Sequence, residues 1–174
     1  MFKKEKKSTF AEDIYNKTVQ FTREPFFFRT LKLKKEFQSR FELIVIFLSL
    51  TLWILRDTDK DTSQDLVNIF FQDLDACLRE LGAADLSVGK KMKILVENFY
   101  GRLESYSKSF DFYIKEKNAE LMHNSINKNI YKYSDEKNKK LFIAQLSKCV
   151  INNLICLKKN KKEIFGRKFF ELKK

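Results

Sequence analysis

Turn-forming residues are scarce in this chain, which has 4 glycines and 1 proline in 174 residues. Globular proteins carry roughly 7% glycine and 5% proline, so the shortage excludes an all-β fold and points to helices. Histidine occurs once, as His123, and the three cysteines, Cys77, Cys149 and Cys156, form no CxxC pair. Metal binding needs more ligands than these, so no metal site is expected and the thiols read as reduced core residues of a cytosolic compartment. A glycine-rich phosphate loop and a nucleophile–base pair are also missing, so the chain reads as a non-enzyme that needs no cofactor. Long apolar runs are few. The strongest, Leu43 to Leu55, is interrupted only by Ser49 and Thr51 and is closed by Arg40, Glu42 and Arg56. It falls short of the roughly 20 residues that cross a bilayer. Its apolar side chains surround the helix, as in the buried central helix of a bundle. The N-terminus lacks the apolar stretch of a signal peptide, and Glu5, Glu12 and Asp13 do not suit a transit peptide, so no export is expected.

What the chain has in abundance is apolar surface and positive charge. Hydrophobic residues make up 44%, with 18 phenylalanines, enough for a core despite 33% charged residues. The formal net charge is +12, of which the first seven residues carry +3 and the segment after Leu157 carries +6. The interior is therefore near neutral, and no long basic face for DNA is evident. A balance this basic still suits anionic partners such as ribosomes or acidic lipid, although a lysine-rich composition also follows from an AT-rich genome. We divide the chain into a helical domain over 8–157 and a basic, aromatic tail over 158–174.

Periodicity predicts a first helix from Ser8 to Arg23, stopped by Pro25. A basic, irregular linker from Leu31 to Ser39 leads into the buried helix, Arg40 to Leu55. Thr62 and Asp65 resemble a capping box, opening a helix that ends at Leu81 before Gly82. Its expected core face holds Leu66, Phe70, Leu74, Cys77 and Leu81. After a tight turn, Gly82 to Asp85, a long helix carries the stripe Val88, Met92, Leu95, Val96, Phe99, Leu103, Tyr106, Phe110 and Tyr113. Gly101 on its outer arc marks a close approach by another backbone, or else a bend or end of the helix. A last amphipathic helix runs from Ser134, as N-cap, to Leu157, with Leu141, Phe142, Leu146, Cys149, Val150 and Leu154 facing inward. The fold class is thus all-α, a single-domain bundle around one buried helix. The tail interleaves lysines with Ile164, Phe165, Phe169, Phe170 and Leu172, which suits either an anionic membrane or ribosomal surface or a solvated end.

Three blocks in register carry a family resemblance: Leu78-Arg79-Glu80-Leu81-Gly82, Asp85-Leu86-Ser87-Val88-Gly89-Lys90-Lys91 and Phe99-Tyr100-Gly101-Arg102. With Arg23-Glu24-Pro25 and Arg40-Phe41-Glu42 they resemble the ubiquinol-cytochrome c chaperone family over roughly Tyr15 to Tyr106. Two departures stand out: the loop before Arg40 lacks the family's proline, and Phe47 stands near where a histidine is expected. The resemblance implies an all-α assembly factor for respiratory complex III that associates with newly made cytochrome b or an early assembly intermediate. In mitochondrial relatives it also implies a small partner subunit and contact with the ribosome. Because the similarity starts so near Met1, a bacterial cytoplasmic protein beside the inner membrane is expected, in preference to the mitochondrial matrix. Asp73, Glu80, Asp85, Lys90, Lys91 and Arg102 cluster around one turn and its following helix and form the candidate partner surface, with salt bridges inside the bundle as the rival explanation. Reversing Lys91 together with Arg102 is expected to weaken partner capture while sparing the fold. A basic ribosome- or RNA-binding module and a peripheral membrane module remain the alternative classes.

Overall fold

A computed structural model of the chain describes residues 2–132, 137–159 and 170–172, with side chains from Phe10 onward. Among the described residues six α-helices occur in the order α1 (Phe2–Thr22), α2 (Phe37–Leu55), α3 (Lys60–Glu80), α4 (Asp85–Glu116), α5 (Glu120–Asn129) and α6 (Lys139–Lys159). The described residues contain no strand. A π-helical turn over Phe26–Thr30 follows Pro25 and links α1 to the approach to α2.

α2 is the centre of the fold and touches α1, α3, α4 and α6. From Leu43 to Leu55 all its side chains are buried except that of Ile44, which is half-buried. By length and composition α2 and α6 would each pass for a membrane-crossing helix, yet 72% of the apolar window of α2 is covered by the rest of the bundle. Ser49 and Thr51, the two polar interruptions, lie inside it, and the Thr51 hydroxyl donates to the Phe47 carbonyl at 3.1 Å. Such back-bonding removes the need for an outside partner.

Aromatic packing fills the space around this helix. Phe47 lies 4.9 Å from Phe21, 5.8 Å from Phe27 and 5.1 Å from Phe170, centroid to centroid. Phe170 therefore ties the far end of the basic tail back to the core, and Asn153 exchanges hydrogen bonds with the Glu171 backbone at 2.9 and 3.0 Å. Residues 160–169 and 173–174, which together hold most of the tail's lysines and aromatics, lie outside the described residues. At the other end of α2, the Trp53 indole and the Arg56 guanidinium both donate to Asp111 on α4, while Arg56 stacks over Trp53 at 4.8 Å. These contacts fix the crossing of α2 over α4.

Several local expectations are corrected. α3 opens at Lys60, not Thr62: the N-cap is Asp59, whose carboxylate accepts from the Thr62 amide at 3.0 Å and its hydroxyl at 2.7 Å. Thr62 is thus the donor at the third helical position, and the acceptor sits three residues earlier. Leu81, expected in the core, is 66% exposed, because the helix ends at Glu80 and the chain has already left the helical rotation. Leu78 takes the buried place. Leu141 is 54% exposed, one step off the buried stripe of Phe142, Leu146, Cys149, Val150 and Leu154. Ser134, the expected N-cap of the last helix, lies outside the described residues, and α6 begins at Lys139. α5 was not foreseen. The break before it uses Lys117 in the left-handed region (φ 55°) and an Asn118 side chain that accepts from the Glu120 amide at 2.8 Å, with neither glycine nor proline to announce it.

Burial pushes the Cys149 thiol up to about 12 from an ordinary value of 9.0. A thiol whose pKa is raised on folding stabilises the fold below its unfolded pKa and loses that contribution as pH climbs. Stability should therefore decline as pH rises from about 9 towards 12, and Cys149 should resist iodoacetamide until denaturant is added. Denaturation midpoints across that pH range and mass mapping of the alkylated thiols check both expectations.

Candidate partner-binding surface

The corner between α3 and α4 is built by backbone chemistry. Gly82 adopts φ +79°, the left-handed conformation that side chains disfavour. The Ala83 amide donates to the Leu78 carbonyl at 3.1 Å and the Gly82 amide to the Arg79 carbonyl at 2.9 Å. This is the paired closure of a Schellman cap, which satisfies carbonyls the helix end would leave open. Arg79 then bridges Asp75, one turn back on α3, and Asp85, the first residue of α4. Each of these ion pairs is exposed and worth little alone, but together they brace the two helices.

A rigid corner turns its neighbours outward. Leu86, in the first turn of α4, is 95% exposed, and Leu81 and Ile94 are more than half exposed. Helical rotation places Leu86, Lys90, Lys93 and Ile94 on the outward arc of α4, with Lys91 on its flank. Glu80, Asp85, Lys90 and Lys91 are all exposed here. Four of the six charged residues anticipated from sequence thus share one apolar, lysine-rimmed corner. The leucines and Ile94 were not anticipated; Leu86 was legible only as a residue of the resembling block.

The other two bond to helices outside the corner. Asp73 accepts a 2.6 Å hydrogen bond from the Tyr15 hydroxyl, which fastens α3 to α1. Burial and this carboxylate together hold the Tyr15 hydroxyl well above the ordinary phenol range. Arg102 donates from Nε and Nη2 to the two carboxylate oxygens of Glu42, each at 2.6 Å, and from Nη1 to the Asn98 carbonyl at 3.1 Å. Glu42 is 1% exposed and takes a further bond from Gln38 at 2.8 Å. Burial raises the Glu42 carboxyl above its ordinary value, while the Arg102 and Gln38 bonds pull back towards the ionised form. Arg102 also lies over the Phe41 ring at 5.6 Å. The expectation that Arg102 reversal spares the fold is therefore corrected: a carboxylate there would face a buried carboxylate. The rival explanation, a salt bridge within the bundle, describes Arg102 and also Asp85, which pairs with Arg79.

Gly101 neither ends nor bends α4 to a stop, since the helix continues to Glu116. A β-carbon built at Gly101 meets nothing within 4 Å, so no described backbone closes on it.

The corner thus displays apolar side chains on a braced turn of the bundle, rimmed with lysines. The chain belongs to the ubiquinol-cytochrome c chaperone family, whose model matches residues 29–170. By family membership its role is that of a ubiquinol-cytochrome c chaperone. Among solved structures it is similar to the crystal structure of the Cbp3 homolog from Brucella abortus, with a TM-score of 0.80 and 23% identity, over 98% of this chain and 94% of that one. At that identity the likeness speaks for the fold. No curated protein matches the sequence.

Proposed function

We propose that the α3–α4 corner holds newly made cytochrome b, or an early assembly intermediate containing it, until the remaining subunits of ubiquinol-cytochrome c reductase join. The observation that supports this most strongly is Leu86, 95% exposed beside a corner where the end of α3 is closed by paired backbone hydrogen bonds. Burying such a leucine against a client is worth about 1.5–3 kcal/mol. A corner braced in advance loses little freedom on binding, which leaves more of that gain as affinity. Lys90, Lys91 and Lys93 steer the encounter and set its orientation. On this reading the work takes place at the cytoplasmic face of a bacterial inner membrane, beside the client's insertion site.

Affinity capture from native membranes tests it. Tagged wild-type chain should recover apocytochrome b, and Leu86→Glu should lose it while the melting temperature stays put, because exposed substitutions rarely shift stability by more than about 0.5 kcal/mol. Lys91→Glu should weaken recovery in a salt-dependent way. Equal recovery with all three proteins refutes the assignment of the corner.

A further inference from the structure

The end of the tail is held by a side chain that reads polypeptide backbone. Asn153 Oδ1 accepts from the Glu171 amide at 2.9 Å, and Asn153 Nδ2 donates to the carbonyl of the same residue at 3.0 Å. One side-chain amide thus satisfies both main-chain groups of one residue, as a neighbouring strand does in a hydrogen-bonded antiparallel pair. The contact requires a free N–H and C=O and is indifferent to the side chain between them, proline excepted. In peptide recognition, main-chain bonds of this kind give affinity and a nearby side-chain pocket gives selectivity.

Such a pocket lies beside the clasp. The Phe170 ring is 5.3 Å from Phe21 and 5.1 Å from Phe47, centroid to centroid. Those two rings hold each other without the tail: they meet edge to face at 4.9 Å, and Phe27 packs on both, at 5.5 and 5.8 Å. The receptor surface is therefore assembled by α1, the π-helical turn and α2, and Phe170 is a half-buried fourth ring laid on it. Asn153 is 4% exposed, on a face of α6 that it shares with Val150, Leu154 and Leu157. An asparagine there weakens both helix and core unless its amide is used. Nδ2 also reaches the Cys149 carbonyl at 2.9 Å, but among the described residues the Glu171 amide is the one donor to Oδ1.

We infer that Phe21, Phe47 and Asn153 form a binding site for an extended polypeptide segment carrying an aromatic residue, and that the chain's own Phe170 and Glu171 are its resident competitor. The chemistry identifies a polypeptide. Lipid acyl chains have no N–H and C=O to meet the clasp, and a nucleic-acid backbone offers phosphate oxygens where Asn153 Oδ1 requires a donor. An incoming segment binds only the fraction of molecules whose tail end has left, so its apparent affinity falls in proportion. The site uses α1, α2 and α6 and stands apart from the α3–α4 corner.

The probe is a fluorescein-labelled peptide with the sequence of residues 168–174, titrated by anisotropy into the full chain and its Phe170→Ala variant. Phe170→Ala should bind it at least about tenfold more tightly than wild type, because the resident ring no longer fills the pocket. Leu172→Ser, at a position 36% exposed, should stay within about twofold of wild type. N-methylation of the peptide at its glutamate removes the donor to Asn153 Oδ1 and should weaken binding to the variant about tenfold. A scrambled peptide of the same composition should bind no better. Bound peptide should also raise the melting temperature of Phe170→Ala towards that of wild type. Should Phe170→Ala fail to fold, hydrogen exchange at the Glu171 amide of the wild-type chain decides: saturating peptide should speed it by displacing the tail end. Affinity unchanged by Phe170→Ala, equal binding of the N-methylated or scrambled peptide, or exchange that the peptide leaves untouched would reduce the tail end to ordinary packing and overturn the site.

Discussion

Arg102→Ala should lower unfolding stability by about 3–5 kcal/mol, the usual cost of stripping the partner from a buried charge. The reason is Glu42, which is 1% exposed and receives two 2.6 Å bonds from this guanidinium. Without Arg102, the Gln38 amide at 2.8 Å is the one partner left to that carboxylate among the described residues. Domains of this size are stable by about 5–15 kcal/mol, so a large share of the total is at risk. Lysine should rescue poorly, because a point charge cannot reproduce the two-pronged contact. Replacing both partners together, as Glu42→Leu with Arg102→Met, should cost far less than Arg102→Ala alone, since no charge is then left buried. Urea denaturation of the three variants, followed by circular dichroism, measures the difference. A single-mutant loss below about 1 kcal/mol would mean the pair is solvated and not a structural clamp.

Phe47→Ala should cost a similar amount, about 3–5 kcal/mol, by leaving a cavity in the aromatic cluster. Phe47 is fully buried and touches rings from α1, the π-helical turn and the tail end at once. Removing it therefore loosens three segments. Phe47→His, the residue type that family resemblance leads one to expect nearby, should fall between the two, since an imidazole keeps most of the volume but brings polar nitrogens into an apolar shell. Thermal denaturation checks the order of the three.

Much of the fold was legible because its signals were local and redundant. The Leu43–Leu55 run announced the central helix, and Gly82 announced the end of α3, where its positive φ closes the cap. Elements whose boundaries depended on unremarkable residues escaped. Lys117 supplies a left-handed turn without being glycine, so α5 merged into its surroundings. Asp59 carries the cap of α3, while the Thr62 and Asp65 pair downstream offers a competing cap signature.

The candidate surface was half legible for a different reason. Periodicity says which face of a helix a charge occupies, but not which residue from another helix meets it there. Asp73 and Arg102 meet Tyr15 and Glu42 across 58 and 60 residues of sequence, and only the folded chain shows those partners. Leu81 looked like core by rotation, yet exposure of a leucine at a helix end depends on where the cap falls, to within one residue. The apolar character of the corner was therefore hidden, although each of its residues was in view.

A photo-crosslinking side chain placed at position 86 gives the most direct test of the corner as the chaperone's working surface. Ultraviolet irradiation in intact membranes should give an adduct that mass spectrometry identifies as cytochrome b, while the same group at Lys115, an exposed position on the last turn of α4, should give none. An adduct at position 115 with nothing at 86, or no adduct with a complex III subunit at either position, would contradict the account.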